Sequence, residues 1–320
     1  MIKWETFPPM EGSVNIYESF SPDTFNLYSP IAEAEIHTGY KNVYAMHSLN
    51  RSYFCLVFDK KYSVITAERY IPMQGLRNFR DLGGYYNSKN EQTQWGKLYR
   101  SGSLAEATLL DMKMLDNLGI KTIIDFRTNN EKFMQPYKYL APQIINIPLR
   151  LSRPNIFFDK ILSGEMKKGD VLIALQDVMA SLLYDNPDYF IDMFDILLDK
   201  NNYPIVMNCS MGKERTGIAS ALILTALGID WDQIVYDYLL SNDLIDYNSM
   251  LYNMEMYEDE PDIQETMTTM LRAHREDITW SFEKIAKEYG SIDKYLEQEL
   301  ELTPQKREKL KEIMLYQRIN

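Results

Sequence analysis

The sequence predicts an α/β domain with a central, mostly parallel sheet flanked by helices, preceded by a small all-β module. Three observations carry this prediction. The first 72 residues hold short alternating segments divided by turn residues, and no amphipathic helix. From Leu76 onward, β-branched apolar runs alternate with helical patterns, as in layered α/β folds. Finally, a buried-type strand at 205–208 runs into a loop containing Gly212 and then into an apolar helix.

Taken in order, residues 14–17, 32–36, 42–46, 53–58 and 62–66 read as strands. Their regular spacing, with Trp4 and Pro8–Pro9, predicts a small immunoglobulin- or fibronectin-like sandwich over residues 1–72. A β-meander packed on the second domain is the alternative. The module shows no catalytic constellation, so packing, solubility or binding of a protein partner is its expected work. Residues 73–320 form the second domain. Within it, 97–100 is a strand, and 106–118 an amphipathic helix ended by Gly119. Residues 122–126 and 143–147 are strands, whereas 171–183 and 189–198 are helices. Asp230 caps a helix at 231–240, and Thr303 with Pro304 opens a charged helix to 316.

Composition bounds the function. The chain has 320 residues and a net charge of −12, which argues against nonspecific nucleic-acid binding and against docking on anionic membranes. The longest apolar run, near 219–227, is too short to span a bilayer. The first six residues show no apolar signal-peptide core, and the compartment stays open between cytoplasmic and exported. The two cysteines, Cys55 and Cys209, form no disulfide framework. Cys55 reads as a small buried hydrophobe on an alternating strand. His37, His47 and His274 lack ligand spacing, so neither a metal nor another cofactor is expected.

The chemistry concentrates at residues 208–217. Cys209 and Arg215 stand six positions apart, between a strand and a helix start. The first amides of such a helix, with the positive end of its dipole, favour an anion. A thiolate is the reactive form of cysteine, and an arginine can grip two phosphate oxygens in bidentate geometry. The Thr216 hydroxyl can donate to the sulfur. The bland alternative is an inert cysteine buried on an apolar strand.

This arrangement matches the C-x5-R-[ST] loop of cysteine-dependent phosphatases. More closely, Cys209 to Gly217 resembles the C-x-x-G-K-D-R-T-G loop of bacterial tyrosine phosphatases related to mycobacterial protein tyrosine phosphatase B. Arg77 to Tyr85 contains the family's N-F-R-D-L-G-G segment, and Leu98 to Gly102 resembles its L-[FY]-R-S-[GA]. Leu118 to Glu131 is similar to its L-G-[IV]-x-x-[IV]-[IV]-D-[LF]-R-[ST]-x-x-E. The resemblance implies a cysteine-phosphatase fold and hydrolysis of phosphotyrosine in proteins, extending to phosphoserine, phosphothreonine or phosphoinositides. It implies Cys209 as nucleophile, with Ser210, Met211, Gly212, Lys213, Glu214, Arg215 and Thr216 around the phosphate. Asp125 maps onto the family's suggested general acid; Glu214 and then Asp81 are the runners-up. Lys213 goes with tolerance of phosphoinositides.

Two positions depart from the family. Asn208 stands where a histidine usually precedes the cysteine, removing a positive charge beside the thiol. Glu214 replaces an aspartate and reaches one methylene further. The first departure motivates a rival reading, a phosphate-binding pseudo-enzyme; sulfur or arsenate chemistry on a similar loop is a third. The Met- and aromatic-rich segment 242–257 reads either as a substrate lid or as core packing.

Overall fold

The computed structural model describes residues 1–44, 50–151, 154–252 and 260–316. Its first part holds strands β1 (Ile2–Lys3), β2 (Ser13–Ser19), β3 (Ala32–Glu35), β4 (Tyr40–Lys41), β5 (Tyr53–Phe58) and β6 (Tyr62–Ala67). β1 and β4 make a two-stranded ribbon, and the rest make an antiparallel sheet ordered β3-β2-β5-β6. Val14, Ile16, Leu56 and Phe58 bury one face of that sheet, and Ile2 and Trp4 pack over them. Trp4 is fixed there because its Nε1–H donates to Ile36 O at 2.8 Å. The strand expected at 42–46 is absent at 42–44, and 45–46, like His47, lie outside the described residues. Among the described residues, one sheet and a ribbon therefore stand where two full facing sheets were expected.

The second part opens with β7 (Arg80–Asp81), β8 (Leu98–Ser101) and α1 (Leu109–Asn117), then β9 (Thr122–Asp125), α2 (Asn129–Met134) and β10 (Gln143–Asn146). Helices α3 (Pro154–Leu162), α4 (Lys168–Tyr184) and α5 (Pro187–Leu197) precede β11 (Ile205–Asn208) and α6 (Glu214–Ala226). Next come α7 (Trp231–Leu239), α8 (Ser241–Leu244), α9 (Tyr247–Tyr252), α10 (Pro261–Leu271), α11 (Arg275–Tyr289), α12 (Ile292–Gln298) and α13 (Pro304–Met314). The sheet runs β10-β9-β11-β8-β7, parallel except for the β7–β8 pair. This is the mixed, mostly parallel sheet that alternating strands and helices predict.

Local chemistry sets the helix ends. Thr108 and Asp111 close a capping box on α1, and Thr128 and Glu131 close one on α2. Thr303 caps α13 through Lys306 N–H, with Pro304 at its first position. Asp230 occupies the capping position of α7 but its side chain makes no cap bond. Helix α6 is buried almost all round, packed between the sheet and later helices; each such aliphatic side chain contributes about 1.5–3 kcal/mol by burial.

The two parts are bolted together. Arg51 Nη1 pairs with the buried Asp81 carboxylate at 2.5 Å, Nη2 donates to Glu68 O at 2.7 Å, and the guanidinium lies 4.8 Å from the Tyr53 ring centroid. Trp95 Nε1–H and Gln92 Nε2–H both donate to Ile65 O.

Candidate active site

The register of the sheet aligns Asn146, Asp125, Asn208 and Ser101 as the last residues of four adjacent parallel strands. Ligands in parallel sheets collect beyond these carboxyl ends. Cys209 is the next residue after β11, 1% exposed, and its Sγ accepts a hydrogen bond from Gly212 N–H at 3.2 Å. The chain then turns sharply into α6, whose first residue is Glu214. Gly212 makes that turn at φ 69°, and a Cβ there would lie 2.4 Å from Ser101 O. Only glycine fits that position.

The loop is braced from beneath. Arg100 Nη2 donates to Gly212 O at 2.6 Å, and Asn78 Nδ2 donates to Gly212 O at 2.9 Å and Met211 O at 3.2 Å. Arg80 and Arg100 share the carboxylate of Asp237 from α7, at 3.0 Å and 2.5 Å. The Tyr85 hydroxyl adds a third donor at 3.0 Å. All three charged groups are buried. Burial alone would raise the Asp237 pKa, but the two guanidiniums hold it well below the usual carboxylate range. The N-F-R-D segment is thus a brace for the loop. Asp81 belongs to it as well: it accepts from Gly83 N–H and Gly96 N–H at 2.7 Å each and is held by Arg51.

Arg215, on the first turn of α6, is gripped end-on. Its Nη1 and Nη2 donate to Glu131 at 2.8 Å and 2.7 Å, Nη2 reaches Ser210 Oγ at 3.2 Å, and Nη1 reaches Phe126 O at 3.3 Å. The Ser210 hydroxyl also donates to Glu131. Burial pushes the Glu131 pKa up, but Arg215, Ser210 and the Thr128 N–H together drive it far below the usual carboxylate range. Glu131 is therefore a permanent carboxylate partner of Arg215.

Other expected site residues take different places. Asp125 is buried, and its carboxylate accepts from Arg127 N–H at 3.0 Å and is paired with the Arg127 guanidinium at 3.0 Å. Arg127 in turn stacks on Tyr137 and donates to Ser103 Oγ and Gln135 O. The ammonium group of the lysine expected at the phosphate is turned toward the end of α10. Lys213 Nζ donates to Met270 O at 3.2 Å, to Leu271 O, and to Arg272 O at 3.1 Å, and pairs with Glu214 at 2.9 Å. It caps the carbonyl end of α10 from the loop, because those helix-end carbonyls have no intrahelical donors. Met211 packs with Ile245, Tyr247, Met250, Met270 and Leu271, so three residues of the Met-rich segment pack against the loop; residues 253–259 lie outside the described residues. Asn208 Oδ1 accepts from the Tyr137 hydroxyl at 2.8 Å. Asn208 Nδ2, Ser101 Oγ and Thr216 Oγ1 are buried without a hydrogen-bond partner among the described residues. The Thr216 hydroxyl expected on the sulfur does not reach it here. Cys55 is buried and unpaired, and no cluster of potential metal ligands occurs among the described residues.

With this geometry in view, a sequence model described as "tyrosine phosphatase family" matches residues 71–316. The chain belongs to that family. It is a protein tyrosine phosphatase by enzyme class. A Cupriavidus necator protein named provisionally as a tyrosine-protein phosphatase is 27% identical over 237 residues, covering 71% of this chain and 82% of its own length. The triple specificity protein phosphatase PtpB of Mycobacterium tuberculosis is 25% identical over 267 residues, covering 72% of this chain and 93% of its own. The phosphatase match begins at residue 71, after the first antiparallel sheet. No helix among the described residues is long and apolar enough to cross a membrane.

Proposed function

We propose that this tyrosine phosphatase works through a phosphocysteine on Cys209, with phosphotyrosine in proteins as its main substrate. The observation that carries the reading is the loop: a buried sulfur, the Gly212 N–H aimed at it, and a guanidinium fixed by Glu131 beside it. The Cys209 thiolate attacks phosphorus, forming the S–P bond as the ester P–O bond breaks. Arg215 and the amides of residues 210–215 hold the equatorial oxygens, where transition-state charge resides. Water then attacks the phosphocysteine, releasing orthophosphate and returning the thiolate.

The leaving oxygen takes a proton from a carboxylic acid. Asp125 is committed to Arg127, a pairing that favours a positioning role at the strand ends. Glu214, in the loop itself and partly exposed, is the other candidate acid, although its carboxylate is paired with Lys213 at 2.9 Å. Breadth toward phosphoserine, phosphothreonine and phosphoinositides is the extension that the loop resemblance implies, and the M. tuberculosis relative is itself named a triple specificity phosphatase. Residues 1–72 are read as an all-β module fastened to the catalytic part, with protein-partner binding as a further role.

The test is hydrolysis of aryl phosphates with graded leaving groups. Vanadate should inhibit, Cys209→Ser should abolish turnover, and acid quench should trap a phosphoryl group on Cys209. The acid is the residue whose amide variant, Asp125→Asn or Glu214→Gln, slows poor leaving groups far more than good ones. Turnover persisting in Cys209→Ser would overturn the mechanism.

A further inference from the structure

The amino end of the parallel sheet, opposite Cys209, carries a second concentration of positive charge. Ile205, the first residue of β11, pairs with both Leu98 and Thr122. Lys97 and Lys121 each precede one of these, so they flank Pro204 on either side of the central strand. Backbone bonds lock this arrangement: Ile205 N–H donates to Lys97 O at 2.9 Å, and Lys121 N–H to Pro204 O at 3.0 Å. Two strand spacings put their Cα atoms about 10 Å apart, within common reach of two four-carbon stems.

Lys200, from the turn Lys200–Asn202, joins them around a pocket of about 530 Å³. Phe20 and Asp23, from the β module, and Tyr203 line it as well. Asp23 lies 3.6 Å from Lys97, the nearest carboxylate the pocket offers. Lys121 and Lys200 have no ion pair among the described residues, and Arg51, which also lines the pocket, is neutralised by Asp81. Three ammonium groups against one carboxylate leave an excess of two positive charges in a chain whose net charge is −12. β11 spans four residues, so the pocket lies at least about 13 Å from the Cys209 end of the sheet.

We propose that this pocket binds a small, soluble phosphorylated molecule carrying at least two negative charges. Ammonium groups on flexible stems act as point charges suited to a compact phosphoryl group, and Phe20 and Tyr203 supply an apolar wall for the rest of the ligand. The site joins the β module to the catalytic part, so its ligand fastens the two together. The inference does not depend on the role given to Cys209.

The probe is inorganic pyrophosphate, titrated by calorimetry at low ionic strength into the Cys209→Ser/Arg215→Ala protein, whose catalytic loop is disabled. Binding should persist there. It should weaken about tenfold or more in Lys97→Gln/Lys121→Gln/Lys200→Gln, since each substitution deletes a charge-assisted contact. Salt should weaken it too. The single exposed-residue variants Lys121→Gln and Lys200→Gln give the same reading should the triple variant fold poorly. Aryl phosphate turnover without pyrophosphate should be unchanged in these variants. Absence of binding at millimolar pyrophosphate, binding lost with Arg215→Ala, or binding indifferent to the lysines each overturns the proposal. A parallel arm uses vesicles bearing a phosphorylated lipid headgroup; capture of vesicles through these lysines without binding of free pyrophosphate also overturns it.

Discussion

Asp237→Ala is the sharpest test of how the loop is held. The Asp237 carboxylate is 2% exposed and faces two guanidiniums that are both fully buried. Removing it leaves Arg80 and Arg100 as two buried cations with carbonyl acceptors but no counter-charge. Deleting one partner of a buried ion pair costs about 3–5 kcal/mol, because the surviving charge stays desolvated. A contrasting deletion is Asp293→Ala, whose carboxylate pairs with Arg307 at 2.5 Å but is 69% exposed; exposed pairs are worth about 0–1 kcal/mol. Urea unfolding of both variants, read by fluorescence and circular dichroism, gives the comparison. The pH dependence has a definite sign. The folded Asp237 pKa is depressed, so its contribution is present above the unfolded value of about 3.9 and is lost as pH falls below it. The gap between wild type and Asp237→Ala should therefore stay constant near neutrality and close in acid. Activity should fall as well, because Arg100 also holds Gly212 O. A loss under about 1 kcal/mol for Asp237→Ala would refute the brace argument, since that is the scale of a solvated pair.

Glu131→Gln should lower kcat/KM for an aryl phosphate by about tenfold or more, because Arg215 loses the charged partner that fixes its plane; unchanged kinetics would show that Arg215 is oriented by other contacts. Gly212→Ala places a methyl group 2.4 Å from Ser101 O at positive φ, so vanadate binding and turnover should both collapse. Lys213→Met should reduce stability by about 1–3 kcal/mol through the uncapped α10 carbonyls while leaving vanadate affinity nearly unchanged; a large loss of vanadate affinity with intact stability would put Lys213 back at the phosphate. Asp277 is pushed up to about 6 by burial, which outweighs His274 and Lys213. Its folded pKa is raised, so its neutral form stabilises and stability declines as pH rises through about 4 to 6; Asp277→Asn should flatten that decline in a series of melting curves.

The candidate site was legible where its chemistry is local in sequence. Cys209, Gly212 and Arg215 sit within one loop, and the strand before it and the helix after it have unambiguous patterns. Asp125 and Arg127 are two apart at a strand end, a spacing that puts side chains on one side; that signal was available for their pairing. Glu131 closes the D-F-R segment and caps α2 with Thr128, but its grip on Arg215 crosses 84 positions and leaves no pattern. Asp237 looks like a solvated helix carboxylate, since nothing local shows that two arginines approach it. The direction of Lys213 was equally hidden, because it depends on where α10 ends in space. In the first part, alternation located β2, β3, β5 and β6, but strand count alone could not decide whether a second sheet closes over them.

The Arg51–Asp81 bolt bears on how this enzyme should be dissected. A chain shortened to residues 73–320 would discard Arg51 and Ile65 O together, and with them the charge partner of a fully buried aspartate and the acceptor for Trp95. Asp81 also shapes the turn that leads into β8, whose Arg100 carries the loop. Such a fragment would lose activity through misfolding at a distance, and its silence would say nothing about a separate role of residues 1–72. The charge-neutral pair Arg51→Met with Asp81→Asn is the better instrument, because it cuts the ion pair without stranding an ion and keeps a carbonyl oxygen for the Gly83 N–H.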